Sequence, residues 1–250
     1  MGDNGVAGGA AGASRRSNAP SAAGSFQVNG LSDPDVKSKM QDLFGRVLTA
    51  NQLAATIGAQ PGMKIGVSGG QNSLRVVVSQ NDWKDPVSGK TGSVRLDRAF
   101  QRDDNGKLYS YNSYFSAGEG LRGSGLGFRV FSSQVQGLRR NGFDRIELQA
   151  AGSKGGGMNG YITWAKFGYN ARLSSSYNLR GVAERAVAAG IRAKDGSAPK
   201  FMSDLMATAK GRTWWDQNGS SWDGVFTLAP NSTSMRVLNA YKRRSAKKRG

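Results

Sequence analysis

One stretch, residues 111–169, constrains the fold more than any other, because it reads as strand, glycine loop, helix, strand, glycine loop and helix in turn. The first strand covers 111–117, and the first loop centres on Arg122-Gly123-Ser124-Gly125-Leu126-Gly127. Phe131, Val135 and Leu138 then recur at helical spacing over 126–141, and Asn141-Gly142 supplies a stop. Residues 145–151 alternate, so Ile146 and Leu148 share one face while Glu147 and Gln149 share the other. A second glycine loop and a short helix ending at Gly168 complete the unit. Glycines at the start of a helix let the backbone approach a ligand closely, and the first unpaired N–H groups and the helix dipole attract an anion. A pyrophosphate suits such a place. Two common phosphate motifs do not fit: a dinucleotide fingerprint starting at Gly123 needs glycine or alanine where Phe128 stands, and a Walker loop ending in Gly89-Lys90-Thr91 needs glycine where Lys84 stands.

What does fit is R-x-x-G-x-G, with Arg122, Gly125 and Gly127 in the named places between a strand and a helix. In a chain with 36 glycines an ordinary strand-to-helix loop is the alternative. The motif resembles the coenzyme A pyrophosphate loop of the GNAT superfamily of acyl-CoA-dependent N-acyltransferases. Downstream, Trp164-Ala165-Lys166-Phe167-Gly168-Tyr169 resembles the Y-x-K-x-G-F segment that closes the fourth helix of that superfamily, so the likeness covers roughly residues 93–170 in the superfamily's order. Gly160-Tyr161-Ile162-Thr163-Trp164-Ala165 is also similar to a helix found in GNAT-like domains of phage-encoded proteins.

The resemblance implies an α/β fold with a mixed, mostly antiparallel central sheet flanked by helices. It would be one domain over 25–235 with a helical insertion at about 177–210, between a flexible arm (1–24) and a basic C-terminal tail (236–250). It further implies acetyl-CoA as co-substrate. Backbone N–H groups of Gly123, Ser124, Gly125, Leu126 and Gly127 would hold the pyrophosphate beside the charge of Arg122, the splayed strands around Phe115 to Ala117 and Ile146 to Gln149 would grip the pantetheine arm, and Asn159 would cap the short helix at the site. The superfamily often supplies its general acid from a tyrosine at the position of Trp164, and an indole cannot replace it; an asparagine often found seven residues earlier is Gly157 here. Tyr161, one turn before Trp164, either takes the acid role or packs in the core. Glu147 and Glu119 are the carboxylates closest in sequence for a base, Glu147 alternatively pairing with an arginine. Two functions follow. One is acetyl-CoA-binding N-acetyl transfer to an amine of a protein or small molecule. The other is a catalytically silent structural or nucleic-acid-associated module, as in a phage particle, which sets the expected location as the cytoplasm or a virion.

Charge bears on that choice: 35 Lys and Arg against 17 Asp and Glu give +18, a balance that suits polyanion partners such as nucleic acid, or merely solubilises the chain. The last nine residues carry six basic side chains and read either as a nucleic-acid or acidic-surface tail or as a solvated end. Absent cysteine and histidine exclude disulfides, Cys/His zinc sites and Ser-His or Cys-His nucleophiles. No apolar run approaches the roughly 18 residues of a membrane span, and the N-terminus lacks the apolar core of a signal peptide.

Elsewhere Asp33-Pro34 starts a helix whose apolar residues Val36, Met40, Leu43, Phe44, Val47 and Leu48 form a stripe, and a second helix over 52–57 stops at Gly58. Residues 25–30 suit a short strand through Phe26 and Val28; 63–67, 74–80, 91–101 and 107–117 read as further strands, with a hairpin at Asp104-Asn105-Gly106. Asp103, Asp104 and Asn105 are either hard metal ligands or turn formers, and turn chemistry already explains them. Helices are expected over 182–191 and 199–210, then strands over 213–216 and 222–228 joined by a turn at 217–220. Trp214, Trp215 and Trp222 either stack on bases or pack in the core and its rim.

Overall fold

The computed structural model describes residues 26–174 and 177–247. The expected arm over 1–24 and the last three residues of the basic tail lie outside that range. The chain forms a seven-stranded mixed sheet in the order β1-β2-β3-β4-β5-β6-β7. Its strands are β1 (Val28–Asn29), β2 (Ile65–Gly69), β3 (Leu74–Lys84), β4 (Thr91–Arg102), β5 (Leu108–Ala117), β6 (Arg145–Ala150) and β7 (Trp222–Thr227). Among the described residues only β1–β2 and β5–β6 pair in parallel. The other four ladders are antiparallel.

Strand alternation explains the layering. Leu74, Val76 and Val78 of β3, Leu96 and Phe100 of β4, Ile146 and Leu148 of β6, and Trp222 and Phe226 of β7 are buried on one face. Their alternates, including Arg75, Arg95, Tyr111, Tyr114, Gln149 and Val225, are exposed on the other. The helices that pack on the buried face begin with α1 (Pro34–Phe44) and α2 (Ala50–Ile57). The Asp33 carboxylate caps α1 by accepting from Asp35 N–H, and Pro34 sits at its first turn. Thr49 and Gln52 form a reciprocal capping box on α2, which Gly58 ends with φ at 76°. The crossover helix α3 (Leu126–Arg140) joins the parallel strands β5 and β6, and α4 (Gly160–Phe167) follows β6 and stops at Gly168.

Beyond α4 the chain returns past β7, where Asn170 bridges Val225, into α5 (Val182–Ala188), α6 (Met202–Met206) and α7 (Ala209–Asn218). Here two expectations are corrected. The helix predicted over 199–210 is two short helices, and the strand predicted over 213–216 lies within α7. Thr208 accepts from Gly211 N–H to start α7, and the helical register buries Trp215 completely. Trp215 and Trp222 both donate their indole N–H to the Tyr161 carbonyl, at 3.1 and 2.8 Å, so they are core residues and neither offers a face to a base. The sheet therefore finishes with one late strand instead of two.

The basic tail is also corrected over most of its length. Residues Thr233–Lys247 form α8. Met235 and Leu238 are buried and Tyr241 packs on Phe128 and Phe167, a helical stripe that the surrounding charges conceal. Among the described residues no helix is long and apolar enough to cross a membrane.

Candidate functional site

The site is set by where β5 and β6 stop pairing. Their parallel ladder runs from Tyr109 and Arg145 to Asn112 and Leu148. Beyond it β5 continues bonded to β4, from Tyr114 opposite Asp97 to Ala117 opposite Val94, while β6 continues bonded to β7. A bulge produces the divergence: Arg98 faces Asn112 but Asp97 faces Tyr114, so Ser113 has no counterpart. Past that point the β6-facing edge of β5 and the β5-facing edge of β6 have no ladder partner among the described residues.

Above this gap lies the glycine loop. A 3₁₀ turn over Glu119–Leu121 leads into it, Arg122 N–H donates to Glu119 O, and Ser124 N–H donates to Leu121 O. Gly123 and Gly125 have φ of 73° and 75°, the left-handed region that a side chain resists. The Ser124 hydroxyl accepts from Leu126 N–H at 3.2 Å. Among the described residues no acceptor meets the N–H groups of Gly123 or Gly125, and helical geometry leaves those of Gly127 and Phe128 without one. These donors, with the dipole of the 15-residue α3, favour an anion. Arg122 is exposed and Lys90 reaches its carbonyl with Nζ at 3.2 Å, so two cations border the loop. The loop is braced from behind by Arg129, which donates to Ser124 O at 2.7 Å and ion-pairs with the buried Asp85. Desolvation would raise the Asp85 carboxyl, but bonds from the Ser88 hydroxyl and Val87 N–H and the Arg129 pair outweigh it and hold it below the usual value.

Under the loop the gap is floored by aromatic rings. A Cβ on Gly127 would lie 3.4 Å from Phe115 Cε1, so the Phe115 ring rests directly beneath the loop. Phe115 meets Trp164 edge-on at 6.1 Å, and Trp164 meets Phe131 at 5.7 Å. Deeper still sits a polar cluster. Asn112 and Gln134 exchange amide hydrogen bonds of 3.0 and 2.8 Å, Ser110 donates to Asn112 at 3.1 Å, and Asn112 also donates to the Tyr169 hydroxyl at 3.2 Å. Burial raises the Tyr169 phenol well above its ordinary value. Beside it Arg98, 1% exposed, donates to the carbonyls of Asp97 (3.1 Å) and Tyr114 (2.6 Å), while its Nε has no acceptor among the described residues. Asp97's own carboxylate pairs with Arg75 on the other face. Burial lowers the Arg98 pKa to about 10, opposed by the nearby Tyr169 and Asp97, so the group remains charged near neutrality.

The loop residues 122–127, Phe115 and Ala117 are thus brought to one end of the parallel pair, and Asn159 starts α4 at that end without a side-chain cap bond. The two acid–base candidates are not brought there. Tyr161 is buried and donates its hydroxyl to Asp216 O at 2.8 Å on the α7 side; burial, with Asp216, raises its pKa, so the acid role is replaced by a packing one. Glu147 lies on the open face opposite Tyr111, inside the paired region, and accepts from Arg145 at 2.6 Å, which favours the ion-pair role over a base. Glu119 is exposed before the loop. Asp103 accepts from Asn105 N–H, Lys107 N–H and Arg145, which is turn chemistry. Arg98, Lys90, Asp85 and the Ser113 bulge were not anticipated, although an arginine between Leu96 and Phe100 at an inward spacing was a readable signal. Open cavities of about 420 Å³, lined by the second glycine loop and Ser220–Ser221, and about 610 Å³, beside Tyr177 and Arg180, are separate from the first loop. No family model and no curated protein matches this chain.

Proposed function

We propose that this chain is a GNAT-like acyl-CoA-binding domain that transfers an acetyl group from acetyl-CoA to an amine of a protein or small molecule. The observation that carries the reading is the parting of β5 and β6 after Asn112 and Leu148, directly below a glycine loop with unengaged N–H groups. A pantetheine arm is a thin chain with two amides, and the two unpaired strand edges offer donors and acceptors in line for them. A pyrophosphate suits the loop N–H groups, with Arg122 and Lys90 adding charge. Acetyl-CoA would supply the activated thioester; the chain's own contribution is to hold it extended between the strands and to exclude water with Phe115 and Trp164.

The test is thermal. At a hundredfold excess over its dissociation constant, acetyl-CoA should stabilise the protein by about 2.7 kcal/mol. Arg122→Glu should abolish most of that gain while leaving the unliganded melting temperature unchanged. A wild-type protein that shows no rise at millimolar acetyl-CoA would defeat the reading.

A second reading has its own support: with Tyr161 bonded to Asp216 O and Glu147 to Arg145, no carboxylate or phenol among the expected pair faces the gap. On that reading the domain binds acetyl-CoA without turning it over. Release of free thiol during incubation with amines and basic peptides separates the two, since transfer requires it and silent binding forbids it.

A further inference from the structure

Resting on the acyl-CoA reading above, we propose that Arg244, in the last turns of α8, binds the 3′-phosphate of coenzyme A. Two contacts fix the path of α8. Near its start, Ser234 lies against Gly168, where a Cβ would fall 2.6 Å from Ser234 O and 3.3 Å from Phe226 Cε2. Phe226 in turn packs on Phe131 of α3 at 5.1 Å. Seven residues later the Tyr241 ring lies 5.0 Å from Phe128 and 5.1 Å from Phe167. Advancing along α8 from 234 to 241 therefore moves toward the N-terminal end of α3, about 10 Å of α8 for about 4.5 Å of α3, so α8 crosses α3 obliquely with its C-terminal end directed that way.

The consequence is positional. From Phe128 only Leu126 and Gly127 precede the Gly125 cap, about 4.5 Å of helix. On α8, Arg244 and Ser245 follow Tyr241 at i+3 and i+4, about 5 Å further along and next to it on the helix surface. The last turns of α8 are thus directed toward the end of α3 that carries the glycine loop. Lys242, Arg243 and Arg244 are exposed there, and no acidic residue occurs after Asp223. Arg122 of the loop and Lys90, which reaches its carbonyl, are exposed as well, and the carboxylate of Asp85 is held by Arg129. A pyrophosphate held on the loop leaves the adenosine end at its outer rim, and the 3′-phosphate is a dianionic group on that end. A guanidinium matches it with paired N–H donors.

Binding of coenzyme A and of 3′-dephospho-coenzyme A to the full chain, measured by calorimetry at low salt, tests this. Wild type should prefer coenzyme A by about tenfold, the worth of one charge-assisted contact. Arg244→Ala should weaken coenzyme A by a similar factor and leave the dephospho form unchanged. Arg243→Ala, about 200° around the helix from Tyr241, should change neither. Equal wild-type affinity for the two, or an Arg244→Ala loss shared by both, overturns the α8 assignment while the acyl-CoA reading stands. Failure of both nucleotides to bind overturns the acyl-CoA reading itself. Unchanged unliganded melting temperatures show that the variants fold.

Discussion

Arg98 is the residue on which the shape of the site turns. A buried guanidinium without a carboxylate partner on its own face costs several kcal/mol of desolvation, and two carbonyl bonds recover only part of it. One of those carbonyls belongs to Tyr114, the first residue past the bulge. The guanidinium therefore occupies the acceptor that the bulge turns away from an ordinary ladder position. Replacement by an apolar side chain of similar length removes the desolvation cost and releases Tyr114 together. Arg98→Met should accordingly leave the urea midpoint unchanged or raise stability by about 1–4 kcal/mol, while acetyl-CoA affinity falls because β5 is free to straighten. A stability loss of about 3 kcal/mol or more, or undiminished affinity, would show that Arg98 does not hold the bulge.

At the level of elements, α3 is positioned by a backbone-to-backbone contact with α2. A Cβ on Gly137 would lie 2.2 Å from Ala55 O and 2.4 Å from Ala55 C, and one on Gly58 would lie 2.0 Å from Val130 O. Two helices this close admit no side chain between them. Gly137→Ala gains up to about 1 kcal/mol in helix propensity, but overpacking against rigid backbone costs about 1–3 kcal/mol, and the second term should win. Denaturant unfolding should show a net loss, and a neutral or stabilised variant would contradict the close approach. Several helix ends are legible because caps and glycines announce themselves: Asp33, Gly58 and Gly168 stand where their helices begin or end, whereas the Thr49 cap starts α2 at Ala50, before the expected 52. The failures have a physical pattern. Trp214 and Trp215 favour strands by local propensity, yet the Thr208 cap and the Tyr161 carbonyl that receives two indoles drew them into a helix. Met235, Leu238 and Tyr241 were hidden among arginines and lysines, so α8 read as a tail.

For the molecule as a whole, the loop and the order of its flanking elements could be read from residues 111–169, but the gap beneath could not. It depends on Ser113 having no counterpart on β4, which only the completed ladder reveals. The acid–base pair failed for a related reason: Tyr161 and Glu147 were placed by sequence distance, while their partners Asp216 and Arg145 come from the fold. Net charge acts at this scale too. A chain at +18 with an acid-free α8 should bind single-stranded oligonucleotides with log affinity falling by about 0.7 per decade of salt for each phosphate neutralised. Truncation after Tyr241 should reduce that slope; salt-independent binding, or a slope untouched by truncation, would assign the charge to solubility alone. The parting of β5 and β6 has one more consequence. Exposed strand edges normally lie at the rim of a sheet, where another chain can add to them and seed aggregation. Here two unpaired edges lie inside the sheet, flanked by β4 and β7 and backed by α3, so a foreign sheet has no rim there on which to dock. The fold keeps a row of backbone donors and acceptors unspent and shelters them from the partners that would polymerise on them.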